Sequence, residues 1–136
     1  MKYSVNSLCP CGSGIKYKKC CQPFHNGKLP KTALELMKSR FSAFTFSNVA
    51  YIIKTTHIEN QDFTIEIDNW KKDILEFSKN TSFDKLKILE FVDGIEESSV
   101  TFEATLFSNQ KDISFTEKST FYKVDGMWLY HSGEFL

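Results

Sequence analysis

The chain has 136 residues and a mass of 15.7 kDa, enough for one ordinary domain and a small appendage but not for two full-sized domains. Hydrophobic residues make up 41%, thirteen Phe among them, which excludes a disordered tail, and no run approaches the ~18–20 apolar residues of a membrane span. The net charge of zero hides a polar layout: six lysines and no acid precede Thr32, whereas all seventeen acids and eleven bases follow.

Charge, composition and cysteine content therefore all shift near residue 30, with +6 and every cysteine on one side and −6 on the other. Pro23 and Pro30 bound a connector whose backbone they restrict. The organisation expected is a knuckle over residues 1–24, a linker over 25–31 and a second domain over 32–136. Met1-Lys2-Tyr3-Ser4-Val5-Asn6 lacks an apolar h-region, so no secretory signal is read and a soluble, cytoplasmic protein is expected.

Cys9, Cys11, Cys20 and Cys21 are spaced C-x-C-x8-C-C. A reducing cytosol keeps thiols free, and adjacent Cys20 and Cys21 make poor partners for two separate short-range bridges. Two nearby thiolate pairs suit a closed, structural zinc site instead, with Zn–S bonds of about 2.3 Å; iron is the alternative ion for such a set. Gly12-Ser13-Gly14 allows a tight turn beside the sulfurs, and residues 15–19 can form roughly one helical turn that delivers the second pair. His25 is a competing ligand, although four cysteines already complete the set. About thirty residues cannot close a core alone, so the metal is expected to fold this piece.

Thr32-x-x-Glu35 is a capping box that opens a helix with Ala33, Met37, Phe41 and Phe44 as its apolar stripe. A second helix follows Ser47-Asn48, with Val49, Ile52 and Ile53 on one side, and ends near Thr56-His57. A third begins at Asp68, with Trp70, Ile74 and Phe77 as its buried edge. The period then changes to two. Strands are expected over 84–93, 98–107, 112–124 and 127–135, the last pair joined by the hairpin turn Asp125-Gly126. Three helices and about four antiparallel strands give an α+β domain with its helices on one sheet face.

Cys9-Pro10-Cys11-Gly12-Ser13-Gly14 followed by Lys16-Tyr17-Lys18-Lys19-Cys20-Cys21 closely resembles the SEC-C motif, named for the zinc-binding tail of the SecA translocation motor. Pro30, Thr32-Ala33, the run Leu36–Phe44, Thr55-Thr56-His57, Glu117-Lys118-Ser119, Phe121, Gly126, Trp128 and Tyr130 are similar to the YchJ-like family. In that family the motif precedes a domain like nuclear transport factor two (NTF2). The resemblance implies a cone, a curved sheet wrapped around the helices, and it carries over no catalytic residues.

A cone of this kind encloses a cavity, so polar groups on inward faces are candidates. Arg40, the sole arginine, falls within the stripe Met37-Arg40-Phe41-Phe44; it either binds an anionic group or lays its stem along apolar surface. Glu117 and Ser119 share strand parity with Phe115 and Phe121, and a buried Glu117 would need a partner such as Arg40. Trp70, Trp128 and Tyr130 are candidates for a ligand slot or for core, and His57 for a helix cap or an acid–base group.

Two functions compete. In the first, the basic knuckle, about +4 once a zinc–thiolate centre is counted, docks on an anionic protein, ribosome or RNA; the alternative role of those lysines is to balance the centre. In the second, the cone is a small-molecule enzyme of isomerase, dehydratase or cyclase type, with Glu117 or His57 as acid or base and Arg40 holding an anionic group. An open sheet face is also a candidate homodimer surface.

Overall fold

A computed structural model describes residues 3–136; Lys2, counted above in the basic segment, lies outside the described residues. A 3-10 turn over Tyr17–Lys19 is followed by four helices, α1 (Gln22–His25), α2 (Ala33–Thr45), α3 (Val49–Lys54) and α4 (Ile67–Lys79). Five strands follow, β1 (Ser82–Val92), β2 (Glu97–Ser108), β3 (Lys111–Asp112), β4 (Phe115–Val124) and β5 (Met127–Phe135). The α+β class is as expected; the four-residue α1 and the two-residue β3 are additions.

The helix starts follow from local chemistry. Thr32 Oγ1 accepts the Glu35 N–H at 3.1 Å, and the Glu35 carboxylate accepts the Lys31 N–H at 2.7 Å, a capping box whose return bond is shifted by one residue. Asn48 Oδ1 caps α3 through the Tyr51 N–H at 3.2 Å. That helix closes on Thr55, so His57 lies two residues beyond the cap position it was expected to fill.

The sheet is antiparallel, curved and unclosed, in the order β1-β2-β4-β5 with β3 paired to β2. Val100, Phe102, Ala104 and Leu106 line its buried face, as their alternation requires. Register shifts in β1 and at Thr120/Phe121 bend the strands, because a bulge adds a residue to one side of a ladder. Asp125 and Gly126 both take positive φ, 50° and 81°, matching the twist of the β4–β5 hairpin. The strand expected over 112–124 is broken. Asn109 and Gln110, at φ 52° and 64°, turn the chain into β3, and Ser114 Oγ then accepts the Leu106 N–H at 3.0 Å in place of a ladder bond.

Helix α2 lies in the concave face and is buried on more than the one stripe expected. Leu36, Met37, Phe41 and Ala43 pack in the domain core, whereas fully buried Ser39 and Ser42 meet the cysteine knuckle. Tyr17 of the knuckle stacks on Phe46 with ring centroids 4.2 Å apart. Cys9, Cys11, Cys21 and Phe24 belong to the same continuous hydrophobic cluster as the sheet. The connector is anchored at both ends, by α1 and by Trp128 Nε1 donating to the Lys31 carbonyl at 3.2 Å. Among the described residues no helix is long and apolar enough to cross a membrane.

Candidate functional site

Two constellations carry chemistry. In the first, the sulfurs of Cys9, Cys11, Cys20 and Cys21 all lie within 4.8 Å of one another, with Cys11 and Cys20 at 3.6 Å and no disulfide. Four sulfurs bound tetrahedrally at about 2.3 Å would stand roughly 3.8 Å apart, so this donor set fits a metal ion. Gly12 and Gly14 take φ of 84° and 80°, the left-handed conformation that folds the loop back, and Ser13 Oγ lies 3.1 Å from Cys20 Sγ. The thiols share their protons unequally. Cys11 is held well below the ordinary thiol range by hydrogen bonds from Cys21 and Cys9, while its negative charge and hydrogen bonding push those two up. Only a cation lets all four ionise together.

His25 does not take the place of a cysteine. Its Nδ1 accepts the Tyr17 hydroxyl at 2.6 Å and its Nε2–H donates to the Ser39 carbonyl at 2.8 Å, so both ring nitrogens are used to join knuckle to α2. Burial lowers its pKa below the usual 6.5, in keeping with that neutral tautomer.

The second constellation is a cavity of about 210 Å³ between α2 and the sheet, which shares walls with a separate outer chamber of about 540 Å³ bounded by α4 and the 56–66 loop. Arg40 and Tyr130 line both chambers. The inner walls are Phe41, Phe83, Phe102 and Phe121, with Glu117 and Ser119 as polar groups; Asp62 borders both chambers, and the outer rim adds Glu66 and Asp73. Glu117 and Ser119 are inward, at 9% and 2% exposure.

Arg40 and Glu117 do not form the direct pair expected of them. Tyr130 stands between: its ring lies under the guanidinium, 4.8 Å from Cζ, and its hydroxyl donates to Glu117 Oε2 at 3.0 Å, where the Ser119 hydroxyl also donates. Arg40 Nη1 instead donates to the Ile52 carbonyl at 3.0 Å, Thr55 Oγ1 at 2.8 Å and Thr56 Oγ1 at 3.2 Å. Burial pulls its pKa down to about 10, which leaves it charged at neutral pH. No carboxylate among the described residues comes within ion-pair distance of it.

A family model described as the middle NTF2-like domain of YchJ matches residues 32–133, and a SEC-C motif model matches residues 6–23. The chain belongs to the YchJ family. A UPF0225 protein of Serratia proteamaculans is 37% identical over 131 residues, covering 93% of this chain and 82% of the relative. One from Streptomyces coelicolor is 33% identical over 129 residues, covering 94% and 95%. The solution structure of a SEC-C motif containing protein from Rhodopseudomonas palustris superposes with TM-score 0.81 at 27% identity, covering 94% of this chain and 98% of that one. An NTF-2 like protein from Shewanella oneidensis, at 13% identity and TM-score 0.56, covers 76% of this chain and 94% of its own and shares the fold alone.

Within this YchJ-family fold, Arg40, Glu117 and Ser119 converge on the inner cavity and Trp70 lines the outer chamber. Phe77, expected as buried edge, is 42% exposed because it borders the opening of the cavity. Trp128 is core and clamps the connector. His57 lines neither chamber. Sequence reasoning missed Asp62 and the Thr55–Thr56 cradle, which no spacing signalled. It also missed Gly133, whose Cα faces the Glu117 carboxylate so closely that a Cβ would collide with it.

Proposed function

We propose that this YchJ-family chain is a ligand-binding protein: its cone receives a small organic anion with an apolar body, and a structural zinc ion in the cysteine knuckle clamps the wall of that cone. Arg40 carries the reading. A half-buried guanidinium without a carboxylate partner carries a desolvation cost that neutral acceptors and an aromatic face offset only in part. Its three protein hydrogen bonds all use Nη1, and the remaining donors suit a compact anionic group such as a carboxylate. The phenylalanine walls suit an apolar body. An inner chamber of about 210 Å³ is smaller than the ~300–1,000 Å³ of drug-sized pockets, which favours a small ligand.

The test is a thermal-shift series with small aryl and alkyl carboxylates against their matched amides. A ligand at a hundred times its Kd adds about 2.7 kcal/mol, a shift of several degrees for a chain of this size. Acids should stabilise, amides should not, and Arg40→Met should abolish the response. No stabilising acid, or an undiminished response in the variant, would refute the reading. Elemental analysis should find one zinc per chain; iron with visible absorption would overturn the choice of ion. Free thiols of this kind suit a reducing, cytoplasmic compartment.

A second reading rests on the exposed Lys16, Lys18, Lys19 and Lys28, none of which forms an ion pair among the described residues. These would dock the knuckle on an anionic protein, ribosome or RNA surface. Binding to RNA or ribosomes that weakens steeply with salt supports it; absence of binding at low salt removes it.

A further inference from the structure

Outside both chambers, His57, Glu59 and His131 bring one donor atom each to within 4.8 Å of one another. The geometry points to a second metal site here, for a divalent ion of the zinc or cobalt class, independent of the cysteine knuckle and weaker than it.

The backbone beneath these side chains is pinned. His57 N–H donates to the Tyr130 carbonyl at 2.9 Å, Tyr130 N–H to Thr55 at 2.8 Å, and Asn60 Nδ2 to the His131 carbonyl at 2.8 Å. The turn after α3 and strand β5, over seventy residues apart in sequence, are thereby held side by side, which is what presenting ligands to one ion requires. The two imidazoles stand 5.0 Å apart between centroids and both pack against the Tyr122 ring, at 5.8 and 4.4 Å.

The donor chemistry is that of a borderline transition ion. Two imidazoles and one carboxylate form a mixed nitrogen and oxygen set, bound at about 2.0–2.2 Å in zinc sites with water completing the shell. Donors around such an ion sit roughly 3–3.5 Å apart, and His131 Nε2 and Glu59 Oε1 are at 3.2 Å. His131 Nε2–H donates to Glu59 Oε1, with Nδ1 accepting the Ser132 hydroxyl at 2.9 Å; metal binding through Nε2 moves the ring proton to Nδ1, where Ser132 Oγ is placed to accept it as the outer hydrogen bond. His57 Nδ1 accepts the Glu59 N–H at 2.9 Å, so coordination through that nitrogen exchanges one backbone hydrogen bond for a metal bond. That exchange, and Glu59 at 69% exposure, place its affinity below that of the buried four-thiolate site.

Cobalt titration of the full chain separates the sites. The first equivalent should give the intense thiolate-to-cobalt absorption of the cysteine cluster, and a second should bind without adding to that band. His131→Ala and His57→Ala should each weaken the second equivalent at least about tenfold, since even outer-shell changes cost ~10–100-fold, and should leave the first intact. Glu59→Gln, at an exposed position, should weaken it too and serves as the deciding variant if a histidine variant loses the thiolate band. Saturation at one cobalt per chain would overturn the inference, as would a second equivalent that survives all three substitutions.

Discussion

Replacing His25 by Phe keeps an aromatic ring of similar size beside Tyr51, whose centroid lies 4.8 Å away, but removes its hydrogen bonds to Tyr17 and to the Ser39 carbonyl of α2. The Tyr17 hydroxyl, on a buried ring, is left without its acceptor, which costs about 1–3 kcal/mol. The Ser39 carbonyl keeps Ser42 Oγ at 3.2 Å, so its loss is about 0.5–1.5 kcal/mol. The sum is about 3 kcal/mol, or a fall of about 10 °C in Tm for a chain of this length. Since the knuckle shares one core with the sheet, the whole chain should melt earlier as a single transition. Wild-type stability carries an acid slope as well. Folded His25 holds its proton less readily than the unfolded imidazole, so its contribution is complete above about pH 6.5 and is lost as pH falls through that value toward its lowered folded pKa. Calorimetry and far-ultraviolet circular dichroism between about pH 7 and 5.5 would measure both effects. An unchanged Tm with hydrogen exchange accelerated only in residues 3–25 would refute the reasoning and make the knuckle an independently tethered module.

On the proposed function, a chelator should lower Tm and also weaken the carboxylate-induced shift, because α2 carries the knuckle contacts at Ser39 and Ser42 and the cavity residue Arg40. A chelated protein that binds and melts as before would contradict the clamp. Gly133→Ala introduces a Cβ about 2.6 Å from the Tyr130 hydroxyl and into the Glu117 carboxylate; both must move, so ligand-induced stabilisation should be lost and Tm should fall. Tyr130→Phe keeps the ring against Arg40 but deprives Glu117 of one donor, an expected loss of about 1–2 kcal/mol in denaturant unfolding with the metal content unchanged.

The cysteine site could be read directly because its four ligands fall within thirteen consecutive residues, and glycine, serine and a short turn leave the chain few ways to fold between them. The helix starts at Thr32 and Asn48 and the turn at Asp125-Gly126 were equally accessible, since caps and tight turns are set by a few neighbours. Burial on two faces of α2 was not. Ser39 and Ser42 look like solvent-facing residues in a helical pattern and are covered because α3, through Tyr51, and the knuckle fold over them. The break before Phe115 also escaped the period-two pattern, since a side chain, Ser114, supplies the missing ladder bond.

Local sequence thus determined the class of the fold and the thiolate set, and offered Arg40, Glu117 and Ser119 as candidates whose facing it left open, all through short-range periodicity and spacing. Tertiary structure alone decided that Tyr130 separates Arg40 from Glu117, that His25 bonds to a helix rather than to a metal, and that His57 meets His131. The reason is physical: strand parity leaves open which face is buried. That choice, and the register bringing β5 beside the turn after α3, follow from packing helices and knuckle together against one bulged sheet.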